Sequence, residues 1–259
     1  MRDNPLSHKS LHPCRCVNMA NVMITGGNRG IGFEFVRRYL ERKDTVIPTY
    51  RDEKRAQEII ALETRGYDDI IPVKLEVKDV ASIEACFDTV AERVGNLDIL
   101  INNAGMGDNS IDMTDPYSHK EFGHLKAESL LEMYHVDAVA PIIITQKFVE
   151  LMEWSEEPKV VHITSKMGSI GLRGDSGYYS YSASKAALNM LGRVMSNDLI
   201  TMGILSVLLH PGWVKTSMGG PEAPVSLKDS IEGMLNIIDN LTAEQNGMFL
   251  DWEGQELEW

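Results

Sequence analysis

Tyr181 and Lys185 stand four residues apart in YSASK, the spacing that puts two side chains on one face of a helix. A free phenol has a pKa of about 10 and is a poor acid–base group at neutral pH, but an adjacent ammonium stabilises its phenolate. Alone, such a pair is an ordinary feature of a helix surface. It gains meaning behind Ser165, which closes HITS, and behind a glycine-rich run, Thr25-Gly26-Gly27-Asn28-Arg29-Gly30-Ile31-Gly32. That run follows an apolar stretch and opens a periodic helix. Strand, glycine turn and helix in this order let bare backbone N–H groups approach an anion at a helix N-terminus, where the dipole favours negative charge. A dinucleotide phosphate is the expected occupant.

These groups need a scaffold, and the chain supplies its rhythm. From Ala20 onward the apolar runs NVMITG, TVIPTY, IIPVKLEV and LDILINNAG alternate with amphipathic helical stretches. This pattern predicts parallel strands joined by crossover helices. Further strands are expected at 159–164, 204–209 and 247–251, and helices near 125–154, 181–202 and 226–241. In the first helix, from Ile31 to about Lys43, Ile31, Phe35, Val36, Tyr39 and Leu40 form the stripe expected to face the sheet. Pro48 and Pro72 each remove a ladder donor and are expected at an edge, a strand end or a bulge. The fold class is therefore α/β: a doubly wound parallel sheet of about seven strands, with helices on both faces, in one domain over 19–259. Residues 1–18 lack apolar periodicity and read as an N-terminal extension, with Met19 a plausible alternative start. His8, His12, Cys14 and Cys16 lie there, but not at a zinc-site spacing, so no metal site is expected.

Of the 259 residues, 43% are hydrophobic and 24% charged, with 25 basic and 38 acidic side chains for a net charge of -13. This composition excludes a disordered or low-complexity chain and makes a nucleic-acid partner improbable. Three cysteines (Cys14, Cys16 and Cys86) make no disulfide framework, and no long apolar run is present. A cytoplasmic protein without a membrane partner is expected.

The spacing Gly-x-x-x-Gly-x-Gly resembles that of the short-chain dehydrogenase/reductase family, and the resemblance covers essentially all of 20–259. Four more motifs support it in order: Asn102-Asn103-Ala104-Gly105, His162-Ile163-Thr164-Ser165, Tyr181-Ser182-Ala183-Ser184-Lys185 and Pro211-Gly212-Trp213-Val214-Lys215-Thr216. Within the family, 210–220 and 245–259 look like the sniffer-type carbonyl reductases and the related C-factor proteins. The resemblance implies a catalytic group of Tyr181 as proton donor, Lys185 lowering its pKa and holding ribose hydroxyls, and Ser165 bonding the developing oxyanion. It implies cofactor contacts from Thr25, Gly26, Asn28, Arg29, Gly30, Ile31, Gly32, Asn103, Ala104, Gly105, Pro211, Gly212, Val214 and Thr216, besides Tyr181 and Lys185. Glu76-Val77 matches the family's Asp-Val beside adenine. Tyr50 occupies the position where an acid would grip the ribose diol of NAD. Arg51 follows it, and with Arg29 it can fork around a 2′-phosphate, which favours NADPH over NADH. Asp52 and Glu53 are the acids close enough in sequence to offset Arg51.

One position departs from the pattern. The family's catalytic asparagine, four residues before a proline, is Asp137 in this chain. The carboxylate keeps the backbone role but loses the amide donors and brings a negative charge towards Lys185. Reduced rate, shifted pH profile and inactivity are all open outcomes. The 16-residue interval from Ser165 to Tyr181 exceeds the commonest family spacing, which leaves 168–177 to loop out beside substrate. Residues 217–230 suit a lid. Tyr178 and Tyr179 compete for the acid role without a lysine four residues on. His119, His124, His135 and His210 read as surface or structural, and Met167, Met190, Met195 and Met202 as core.

Three functions follow from these residues: an NADPH-dependent reductase of a ketone, aldehyde or quinone; a dinucleotide-binding sensor with weak or no catalysis; and an interaction protein acting through residues 1–18. A small-molecule substrate and assembly as a homodimer or homotetramer complete the expectation.

Overall fold

A computed structural model of the protein describes residues 19–64, 69–107, 118 and 120–259. Residues 1–18, and with them the expected extension and its cysteines, lie outside that set, as does His119. Seven parallel strands form one sheet in the order β3-β2-β1-β4-β5-β6-β7. They are β1 Asn21–Ile24, β2 Thr45–Tyr50, β3 Val73–Lys74, β4 Ile99–Asn102, β5 Lys159–Ile163, β6 Leu205–His210 and β7 Phe249–Asp251. The helices are α1 Gly30–Glu41, α2 Gln57–Thr64, α3 Val80–Val94, α4 Ala127–Tyr134, α5 Ala140–Met152, α6 Tyr179–Thr201 and α7 Leu227–Asp239.

Alternate strand residues feed two cores, because successive side chains point to opposite faces. Val22, Ile24, Ile101 and Val207 pack with Phe35 and Val36 of α1 and with Ile231 and Met234 of α7. Met23, Leu100 and Val160 pack with Ile83 and Val90 of α3, Phe148 of α5 and Leu199 of α6. Parallel strands need such crossovers, and covering both faces explains why the strand sequences are nearly continuous apolar runs. The strand order reverses between β1 and β4, so the carboxyl ends of those strands frame a crevice suited to a ligand.

Several local expectations need correction. IIPVKLEV yields only the two-residue β3 plus a bridge between Val46 and Ile70. Pro48 lies inside β2, which has neighbours on both sides. Thr45 and Thr49 bond towards β1, whereas Val46 and Tyr50 bond towards β3, so the missing Pro48 N–H faces the interrupted β2–β3 ladder. Pro72 lies just before β3. Glu34 is buried in α1, where Arg37 and Arg38 each bond it at 2.9 Å. Met190 in α6 and Met202 just after it are exposed rather than in the core. The helix expected over 125–154 is broken into α4 and α5 by a π-turn, His135–Val139.

Candidate active site

The glycine turn is tied to the loop after β4 by a reciprocal set of bonds. Thr25 Oγ1 accepts from the N–H groups of Asn103 and Ala104, both at 2.9 Å. Asn103 Nδ2 donates back to the carbonyls of Thr25 at 2.9 Å and Gly26 at 3.2 Å. Gly26 adopts φ +65°, the left-handed region that glycine enters without a Cβ penalty. Gly32 is required by space: a Cβ there would lie 2.4 Å from the Gly26 carbonyl oxygen and 2.5 Å from Asn103 Nδ2. Arg29 precedes α1 in extended backbone without a side-chain cap, and the first turn holds no acid. Its N–H groups and positive dipole end are thus left to an anionic group, as a bound pyrophosphate requires. This cradle fits a dinucleotide.

Arg29 and Arg51 are both exposed. Arg51 Nε lies 3.9 Å from Glu76 Oε2. Asp52, named above as a candidate partner of Arg51, caps the N–H of Lys54 and lies 3.8 Å from Arg55 instead. Asn28 Nδ2 donates to the Arg55 carbonyl at 3.0 Å, joining the turn to the segment after β2. Val77 is half-buried beside Glu76.

Ser165 follows β5 and caps a short 3-10 turn, Lys166–Gly168, by accepting the Met167 N–H at 3.1 Å. Its hydroxyl proton remains available to a second acceptor. Gly168 presses this turn onto α6: a Cβ there would lie 2.6 Å from the Lys185 carbonyl carbon. Lys185 is 6% exposed. Its Nζ donates to the Ile163 carbonyl at 3.3 Å and lies 5.7 Å from the centre of the Tyr181 ring. Helix α6 begins two residues earlier than expected, behind Tyr178 at φ 56°.

Asp137 sits in the middle of the π-turn and is fully buried. Pro141 supplies no N–H where a regular helix would bond the Asp137 carbonyl. The Asp137 side chain accepts from Met106 N–H at 2.7 Å and Ser184 Oγ at 3.1 Å, and Oδ2 lies 3.8 Å from Lys185 Nζ. Burial pushes its pKa up, against the pull of Lys185 and the two donors. Beneath this group, Asn102 Nδ2 donates to Thr145 Oγ1 at 2.9 Å and lies 3.3 Å from His162 Nδ1. Burial and the Lys185 charge lower the His162 pKa to about 4, so its ring is neutral at pH 7. His124 and His135 are exposed.

The Pro211–Thr216 segment returns over the glycine turn. Gly212 adopts φ +85°, Val214 bridges Val225, and a Cβ on Gly30 would meet Thr216 Cγ2 at 3.9 Å. Trp213 Nε1 donates to the Gly219 carbonyl at 2.7 Å. The Met218 side chain packs against Gly107. The sequence reading assigned no role to Ser184, Met106 or His162, and placed Gly168 at the start of a stretch looping out beside substrate, whereas it closes the Ser165 turn against Lys185. Ser184 and His162 were visible inside quoted motifs, but neither Gly168 nor Met106 carries a local signal for its contact.

Comparison with known proteins decides the family. The short chain dehydrogenase family matches residues 20–224. The chain belongs to this family. Its fold matches an NADPH-bound carbonyl reductase from chicken fatty liver with TM-score 0.85 and 35% identity, covering 94% of this chain and 100% of that one. Carbonyl reductase Sniffer of D. melanogaster matches with TM-score 0.83 and 28% identity, covering 93% and 100%. The C-signal protein of Myxococcus xanthus is 39% identical over 165 residues, which cover 64% of this chain and 94% of that protein. As a short-chain dehydrogenase, the protein is an α/β oxidoreductase built on a Rossmann-like sheet. Among its described residues no helix is long and apolar enough to cross a membrane.

Proposed function

We propose that this short-chain dehydrogenase reduces a ketone, aldehyde or quinone with NADPH, using Tyr181 as general acid. The carrying observation is the convergence on one face of α6 of Tyr181, Lys185 and the Ser165 turn, which Gly168 seats against Lys185. When bound, NADPH would supply the hydride that the carbonyl carbon accepts. Tyr181 gives its phenolic proton to the carbonyl oxygen, and the Ser165 hydroxyl donates to that oxygen as charge builds on it. Lys185 holds the ribose hydroxyls and lowers the Tyr181 pKa. The glycine turn, with Thr25, Gly26, Asn28, Gly30, Ile31 and Gly32, holds the pyrophosphate. Arg29 and Arg51 take the 2′-phosphate, and Glu76 and Val77 border the adenine. Asn103, Ala104, Gly105, Pro211, Gly212, Val214 and Thr216 border the rest of the cofactor. The NADPH- and NADP-bound neighbours support the cofactor choice.

Phe122, Tyr179, Trp213 and Met218 are exposed large apolar side chains; Phe122 lies against Tyr179 at the start of α6 and Met218 against Gly107 after β4, a surface that suits an apolar or aromatic carbonyl compound. On the outer face of α4 and α6, exposed Leu131, Tyr134, Met190 and Val194 suit a second copy of the chain. A second function, a dinucleotide-binding sensor with weak or no catalysis, is favoured by Asp137 and by the likeness to C-signal. Loss of NADPH fluorescence with isatin or a quinone supports the reductase. Tyr181→Phe should then lower turnover by about a hundredfold or more while NADPH still binds. NADPH binding without oxidation across a carbonyl panel selects the sensor.

A further inference from the structure

We infer that Asp137 is a counter-charge to Lys185, and that its carboxylate sets the pH range over which Tyr181 keeps its proton. The inference rests on the proposed role of Tyr181 and concerns a residue that acts on it through Lys185, a positioning role. The neighbours of the Asp137 carboxyl group are donors: the Met106 N–H, the Ser184 hydroxyl and the Lys185 ammonium, at 2.7, 3.1 and 3.8 Å. These donors favour the ionised form and oppose the burial of the group, the larger effect, which raises the Asp137 pKa.

Among the described residues, these charged and titratable groups face the cluster. Helix α6 brings Lys185 and Tyr181, β5 brings His162, and the π-turn brings Asp137 itself. His135, also in the π-turn, is exposed. The loop after β4 contributes a backbone N–H. Burial keeps His162 neutral, so it adds no charge at neutral pH. Among the described residues, the pair that decides the local charge is the Asp137 carboxyl group, once ionised, and the Lys185 ammonium, both buried and therefore weakly screened by solvent.

An ammonium alone next to a phenol favours the phenolate. A carboxylate 3.8 Å from that ammonium offsets part of its charge as the phenol senses it, and so moves the phenol back towards its ordinary pKa. With an amide at 137 the Lys185 charge would act without this offset. Tyr181 therefore gives up its proton at higher pH in this chain than it would beside asparagine, and carbonyl reduction, which needs the protonated phenol, extends further into the alkaline range.

The test is Asp137→Asn, with two readouts. One is the alkaline limb of NADPH-dependent carbonyl reduction. The other is direct titration of Tyr181 through its near-ultraviolet phenolate band, taken as the difference from a matched Tyr181→Phe protein. The expected result is a fall of about one pH unit in both, with NADPH affinity unchanged. At neutral pH turnover should rise, because the phenol becomes the stronger acid while still protonated. An unshifted phenolate titration overturns the inference. Asp137→Ser, which keeps an acceptor for the Met106 N–H, serves if the asparagine variant does not fold. Should the wild-type protein oxidise no NADPH with any carbonyl, the functional proposal fails, whereas the spectroscopic titration still decides the role of Asp137.

Discussion

Arg51 lies in surroundings that leave its guanidinium open to an incoming anion. Its guanidinium is 67% exposed and its Nε is 3.9 Å from Glu76 Oε2, a separation and exposure at which an ion pair contributes little. An incoming 2′-phosphate offers more negative charge and bidentate acceptors, so it should capture Arg51 from Glu76. Arg51→Asp is expected to weaken NADPH binding by roughly tenfold to a hundredfold and leave NADH binding unchanged or improved. Fluorescence titration with each nucleotide measures this, and an unchanged preference removes Arg51 from cofactor selection.

At the scale of elements, catalysis depends on how closely the turn after β5 meets α6. Gly168 admits an approach that a methyl group would block, since a Cβ would lie 2.6 Å from the Lys185 carbonyl carbon. Gly168→Ala must lift the Ser165 turn from the helix or bend the helix away. Either change separates Ser165 from Tyr181, and misplacement by about 1 Å can cost on the order of a hundredfold in rate. The expected signature is a fall in kcat much larger than any loss of NADPH affinity, because the glycine turn is built from β1, α1 and the loop after β4, and the shift at Lys185 touches only the ribose contact. A matching loss of NADPH affinity would show that the two halves of the site are not separable.

For the whole molecule, the buried polar layer under the site predicts acid sensitivity. His162 and His210 both have pKa values lowered from 6.5 to about 4, each chiefly by burial. Below pH 6.5 the unfolded chain binds protons that the folded chain refuses until about pH 4. Stability therefore rises with pH across that window and is lost on acidification, by a few kcal/mol for the two together, to order of magnitude. Urea unfolding followed across the window checks this. His162→Gln should flatten part of the slope, whatever it costs at neutral pH, and an equal slope in wild type and variant would exclude His162 as a source.

The layered sheet, the glycine turn and the Tyr181–Lys185 face could all be read from the sequence, because each is written in local spacing: apolar runs, turn residues, and a step of four on a helix. Asp137 was visible as a departure from the family pattern, but only packing brought it within 3.8 Å of Lys185. Three elements distant in the chain had to converge, and the π-turn that aims the carboxylate leaves no mark in the helical periodicity beyond Pro141. The partner of Arg51 followed the same logic: proximity in sequence pointed to Asp52 and Glu53, whereas the fold of β2 against β3 supplied Glu76. Periodicity likewise marked α6 as a helix without showing that Met190 within it and Met202 at its end are exposed. Local pattern decides which groups a chain possesses and on which element they ride. Their distances, and hence their charges and pKa values, arise only when the sheet and helices close around them.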